Sequence, residues 1–201
     1  LCDLKESQIR DGLHIFGESP QGRLRIDTLL ALLRIPRGDG RGAQSSLLRV
    51  LAKAFALGFD PLDCALAEPW TGRRPGVLQG IDSQPWRTAG DTRERLELYA
   101  AHLIEQALDG PLAVLQAPGW EEVSAVIDSL RSVVAPRLDA CGPAEMRGLL
   151  DALSGRFVPA GPSGAPSRGR LDVLPTGRNF FSVDVRNLPT TTAWRIGFQS
   201  A

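Results

Sequence analysis

Lysine is nearly missing from this chain: only Lys5 and Lys53 carry an ammonium, and the remaining basic side chains are arginine. Lysine and arginine together number 23, the same as aspartate and glutamate, so the formal net charge is zero. That balance removes the global field that a nucleic-acid or anionic-membrane binder carries. Cysteine occurs three times, as the isolated Cys2, Cys64 and Cys141. With no CxxC pair and an odd count, neither a disulfide framework nor a structural zinc site is supported, and reduced cytoplasmic thiols are expected. Histidine occurs only as His14 and His102, so His14 has no partner at ligand spacing, and His102 falls in an apolar helical segment. No apolar run approaches the ~20 residues that span a bilayer, and no charged-then-apolar leader opens the chain.

What remains is an ordinary folded composition, 43% hydrophobic and 23% charged over 201 residues. Helical periodicity dominates the first three quarters. Asp3 to Leu13 suits a helix of imperfect period, and Ser19-Pro20 reads as the cap and first position of another. That second helix carries Ile26, Leu29, Leu30 and Leu33 on one stripe and is stopped by Pro36. Leu47, Leu48, Leu51 and Phe55 mark a helix from about Gln44 to Leu57. Phe59 to Trp86, rich in Pro and Gly, reads as an ordered excursion, because Trp70 and Trp86 are costly to expose. Asp91 with Glu94 resembles a capping box ahead of Leu96, Tyr99, Leu103 and Ile104. Val123 to Val134 form the next stripe, with Pro136 ending or kinking it. Gly142-Pro143 opens a last helix bearing Met146, Leu149, Leu150 and Leu153. The expected class is mainly α, a helical scaffold over 1–155 with an irregular segment over 156–201 packed on it. At most one or two short strands are expected, near Asn179 to Val185.

Phe157 to Asp184 reads FVPAGPSGAPSRGRLDVLPTGRNFFSVD. Arg156, Arg168, Arg170 and Arg178 stand in or beside it, and Asp172 is the one acid between the first and the last of them. Gly161-x-x-Gly164 is no phosphate loop, since no Gly-Lys-Ser/Thr follows. LPTG at Leu174 to Gly177 lacks the residue that a sortase signal places between Pro and Thr. Interleaved glycines exclude a polyproline helix. A disordered linker is the bland alternative, and Phe157, Leu171, Val173, Leu174, Phe180 and Phe181 count against it. The functional reading is an ordered loop offering backbone N–H groups and arginine forks to an acidic ligand.

This stretch, with Leu188-Pro189-Thr190 and Ala193-Trp194 after it, closely resembles the large subunit of aerobic cobaltochelatase (the CobN type). DLKESQIRDGLHIFGESP at the start matches another block of that family, as do Phe59 to Asp63 and Trp86 to Glu94. The opening block and LPTG also resemble the magnesium chelatase large subunit. The resemblance implies one internal part of a longer subunit that binds the tetrapyrrole hydrogenobyrinic acid a,c-diamide and Co2+. It also implies that ATP and Mg2+ act on partners, an AAA+ ATPase subunit and its co-subunit. Substrate contact is carried over to Gly161, Ser163, Gly164, Arg168, Arg170, Thr176, Gly177, Arg178 and Asn179. One departure is Phe181, where relatives often carry tyrosine.

Insertion into a macrocycle also needs bases for two pyrrole N–H protons, and His14, Glu18 and Asp184 are the candidates. His14 is also the one candidate metal ligand. Each has a plainer reading: His14 as a hydrogen-bonded structural histidine, Asp184 as an anchor for a turn. Trp70, Trp86, Trp120 and Trp194 are expected in packing roles rather than stacked on a ring.

Overall fold

The computed structural model describes residues 15–162, 164, 166–178 and 191–200. Among them there are eight α-helices and no strand: α1 Gly22–Arg34, α2 Leu47–Ala54, α3 Gly76–Gly80, α4 Ala89–Asp109, α5 Glu121–Ser129, α6 Ala135–Asp139, α7 Cys141–Leu153 and α8 Thr191–Ser200. The mainly α class expected from periodicity is what the chain adopts. The strand-like Asn179 to Val185 and the helix-like Asp3 to Leu13 lie outside the described residues.

The 21-residue α4 is the central rod, and α1, α2 and α3 all pack on it, with α5 completing the layer against α2. Leu29, Leu33, Leu47, Leu48, Leu51, Leu96, Ile104 and Ile127 are each 0% exposed in one continuous core. Full burial of each such side chain stabilises by ~1.5–3 kcal/mol, which outweighs the weak intrinsic preference of helices this short. Phe55, Tyr99 and Trp120 close one end of the core with edge-to-face contacts at 5.1 and 5.3 Å. That placement gives Trp120 the packing role expected of it.

The excursion between α2 and α4 is ordered around Arg95, which is 2% exposed. Its guanidinium donates to the carbonyls of Leu78 (3.0 Å), Asp82 (2.8 Å) and Gln84, and stacks on Trp86 at 4.9 Å. Trp86 Nε1–H in turn donates to Thr92 Oγ1 at 2.7 Å. Trp70 packs on Phe59 at 4.9 Å. Both tryptophans are therefore rim packing, as expected.

Three local expectations need correction. The capping box before α4 sits one turn earlier than Asp91–Glu94. Thr88 is the cap, and Asp91 is the third helical residue that reaches back to the Arg87 and Thr88 N–H groups. Those two backbone donors hold the Asp91 carboxyl below the usual carboxylate range. Ser19 and Pro20 do not start α1, which begins at Gly22 behind Gln21. The Ser19 hydroxyl is engaged elsewhere, as described below.

The third concerns α7. Met146, Leu150 and Leu153 point outward (42%, 54% and 76% exposed), while the buried face is Cys141, Gly142, Glu145 and Gly148. Small residues and one acid face inward because backbone, not side chains, packs against them. Between α5 and α6 the chain widens into a π turn over Leu130–Val134 and resumes with Pro136 in the first turn. Pro136 lacks the N–H that a continuous α ladder needs, and the π turn ahead of it takes up that break, so the helical path continues past Pro136 rather than ending.

Candidate functional site

The inward face of α7 is where the Gly17–Ser19 and Thr176–Gly177 segments meet. Gly142, Glu145 and Gly148 are three residues apart in succession and so lie along one side of the helix, spanning about 9 Å of its axis. At the first glycine the segment Gly17-Glu18-Ser19 presses against helix backbone. A Cβ on Gly142 would stand 2.7 Å from both the Gly17 carbonyl oxygen and the Ser19 nitrogen. The Ser19 hydroxyl completes that seat, donating to the Asp139 carbonyl at 2.7 Å and accepting from Gly142 N–H at 3.0 Å. At the last glycine the Thr176-Gly177 turn presses in. A Cβ on Gly148 would collide with the Gly177 carbonyl oxygen. Gly177 itself has φ +89°, with room only for hydrogen against Glu145 Cα and N at 2.6 Å.

Glu145 joins the two segments. It is 3% exposed, its Oε2 accepts from Gly17 N–H at 2.8 Å, and its Oε1 accepts from the Thr176 hydroxyl at 2.5 Å. Reading the sequence missed this residue. The signal available was a glycine three residues to either side of an acid on a helix whose leucines form a separate stripe.

The arginine-bearing loop is ordered beside this seat. Leu174 is 5% exposed within the core, and Leu171 packs against it, which anchors the loop to the helices. Arg170 grips Asp172 in a two-pronged pair at 2.9 and 2.8 Å, and this holds the Asp172 carboxyl below the usual range. Arg178 lies over Gly161, where a Cβ would meet its Nε at 3.1 Å, and donates to the Asp172 carbonyl at 3.3 Å. Arg137 on α6 donates to the Leu171 carbonyl at 3.2 Å. Gly164, with φ +146°, lies in ordinary contact distance of Arg170 and Val173.

Gly161, Gly164, Arg170, Thr176, Gly177 and Arg178 are thus brought into one continuous surface. Arg168 is exposed on the Pro166–Arg168 turn. Arg156 is exposed and pairs with Asp151 at 2.6 Å. Exposed Glu18 stands at the Gly142 end of the same helix face. His14, Ser163, Asn179 and Asp184 fall outside the described residues. His102 is exposed on α4. Among the described residues no three of His, Cys, Asp and Glu gather where they would hold a metal ion. No helix among them is long and apolar enough to cross a membrane.

One face of α7 thus holds two loop segments together that lie more than 150 residues apart in sequence. The pattern of the CobN/Magnesium Chelatase family matches residues 1–201, and the chain belongs to that family. It is 70% identical over 203 residues to the aerobic cobaltochelatase subunit CobN of Pseudomonas aeruginosa, covering 100% of this chain and 16% of that protein. The subunit of the same name from Sinorhizobium sp is 49% identical over 219 residues, again covering 100% of this chain and 17% of that one. Among solved structures, the catalytic subunit of cobaltochelatase from Mycobacterium tuberculosis superposes with a TM-score of 0.62 at 35% identity, over 94% of this chain and 14% of that one. The chain spans about a sixth of the length of the curated relatives it matches.

Proposed function

We propose that this chain forms part of the tetrapyrrole-binding surface of a cobaltochelatase large subunit. That subunit would insert Co2+, its substrate metal, into hydrogenobyrinic acid a,c-diamide during cobalamin biosynthesis. ATP would be hydrolysed on partners, an AAA+ ATPase subunit and its co-subunit in the cytoplasm, with Mg2+ bound there. Alone, this chain would not chelate. The observation that carries the reading is the joining of the Gly17-Glu18 and Thr176-Gly177-Arg178 segments on one face of α7.

The chemistry suits the ligand. Carboxylates arranged around an apolar ring are met by arginine forks, and a loop held by Leu174 and Glu145 loses little entropy on binding. Arg168, which has no hydrogen-bonded or ionic partner among the described residues, is the arginine most ready to receive a substrate carboxylate. Arg178 is held in place by its contact with the Asp172 carbonyl and faces Gly161. Glu18, with His14 and Asp184, supplies the candidate bases for the pyrrole protons.

The test is titration of the full-length protein with hydrogenobyrinic acid a,c-diamide, followed by absorbance. Arg168→Ala and Arg178→Ala should each weaken binding about tenfold or more, the loss expected of a charge-assisted hydrogen bond. Wild-type affinity and turnover in both variants would remove the loop from the site.

A second reading, docking of the ATPase partners, is favoured by one feature. Met146, Leu150 and Leu153 form an outward apolar stripe on α7, and Phe157 just beyond is 87% exposed. Leu150→Asp should then abolish capture of the ATPase subunit while leaving tetrapyrrole affinity intact.

A further inference from the structure

We propose that Glu145 is a positioning residue whose carboxylate latches the Gly17 and Thr176 segments into the one register in which their joint surface accepts a carboxylate-bearing ring. The proposal rests on the tetrapyrrole-surface reading above and names the group that assembles that surface. A carboxylate 3% exposed is costly unless its oxygens are hydrogen-bonded, so its burial on a helix face otherwise made of Cys141, Gly142 and Gly148 calls for a function.

Each oxygen serves a different segment. Oε2 receives the Gly17 N–H and Oε1 the Thr176 hydroxyl, residues 128 and 31 positions away in sequence. Gly142 and Gly148, one turn to either side, let both segments approach until their backbones touch the helix. The carboxylate therefore fixes the direction along α7 while the glycines fix the height. Neither segment can shift without stretching a bond to the same side chain, so a displacement of one is felt by the other. A ligand that needs both segments binds only the latched fraction, and its apparent affinity falls in proportion to that fraction.

Hydrogen exchange in the full-length protein reads the latch directly. The amides of Val173 and Leu174 close small turns on Arg170 and Leu171 at 3.2 Å each, just before the latched residue. Glu145→Ala should speed their exchange about tenfold or more, the equivalent of one charged hydrogen bond. Thr176→Val should do the same alone and add nothing in the Glu145→Ala background. Glu145→Gln keeps an acceptor for Gly17 and offers an amide to a Thr176 oxygen that has turned round to accept. It should recover most of the lost protection, whereas Glu145→Met, which fills the space without bonding, should recover none.

Equal recovery by the methionine variant, or additive effects of the two single substitutions, would overturn the latch and leave only packing. In the same proteins, affinity for hydrogenobyrinic acid a,c-diamide should fall about tenfold in Glu145→Ala, with the turnover of the saturated enzyme kept. Faster exchange with wild-type affinity would overturn the tetrapyrrole-surface reading and the positioning role with it. Lost affinity with unchanged exchange would overturn the latch alone.

Discussion

A single methyl group added at Gly142 tests the seat of the opening segment. In an exposed helix, glycine to alanine gains up to about 1 kcal/mol, because alanine loses less backbone entropy. At position 142 the new Cβ would lie 2.7 Å from the Gly17 oxygen and the Ser19 nitrogen, and 3.0 Å from the Glu18 carbonyl carbon. All three are backbone atoms, so no side chain can swing aside. Reaching ordinary contact at 3.4 Å requires the segment to retreat by about 0.7 Å. That retreat stretches three hydrogen bonds: Ser19 to Asp139 (2.7 Å), Gly142 to Ser19 (3.0 Å) and Gly17 to Glu145 (2.8 Å).

Weakening bonds worth about 1 kcal/mol each, less the helix gain, leaves Gly142→Ala destabilising by about 1–2 kcal/mol. For a domain of this size the thermal midpoint should fall by roughly 2–8 °C. Gly197→Ala on α8 is the matched control, since among the described residues nothing lies within 4 Å of its Cβ position. It should raise the midpoint, by up to about 4 °C. The assay is thermal unfolding of the two variants beside wild type. An equal rise in both would refute the close approach at Gly142 and with it the composite surface.

Two further outcomes follow from charged groups. Arg95→Lys keeps the charge but cannot reach the carbonyls of Leu78, Asp82 and Gln84 together, so it should cost about 3 kcal/mol or more in denaturant unfolding; a loss below 1 kcal/mol would show that the fork is not the hub of the excursion. Asp172 has its pKa lowered chiefly by the hydrogen bond from Arg170, so its stabilising contribution is present above the unfolded carboxylate value near 4 and fades as pH falls through the lower folded value. Because the Asp172 side chain is 53% exposed, the effect on stability should stay below about 1 kcal/mol, and carbon-detected titration should show its pKa rise in Arg170→Ala.

The helices were legible because their stripes are local. Ile26, Leu29, Leu30 and Leu33 announce a buried face within eight residues, and packing on α4 then buries them. Boundaries were less legible, since capping depends on which hydroxyl the chain turns toward. Ser19 has the right chemistry for a cap, yet its oxygen sits between Asp139 and Gly142, more than a hundred residues away. Asp91 looked like a cap and is instead the acid that Thr88 needs three residues on.

The α7 stripe failed for a different reason. Period 3.6 marks two candidate faces on that helix, one of leucine and methionine and one of glycine with a single acid. Hydrophobicity alone favours the first as core. The second won because close backbone approach from two loops removes water from that face without any large side chain. The leucine face is left exposed among the described residues.

The same physics limits how much of the site any reading of order could find. Gly161, Thr176, Gly177 and Arg178 lie within one stretch, so their grouping follows from their neighbourhood in sequence. Glu145 belongs to the site only because the fold carries Gly17 to it across 128 residues. Charge pairing also redistributes the arginines in a way that spacing does not show. Arg170 is committed to Asp172, and Arg178 to that residue's carbonyl, whereas Arg168 is an exposed fork on the Pro166–Arg168 turn. An incoming carboxylate that sought Arg170 would first have to displace Asp172, a competitor already held at 2.8 Å on the same chain. The loop thus sorts its own arginines: Arg170 is paired with Asp172, Arg178 braces the Asp172 carbonyl, and Arg168 stands exposed on its own turn.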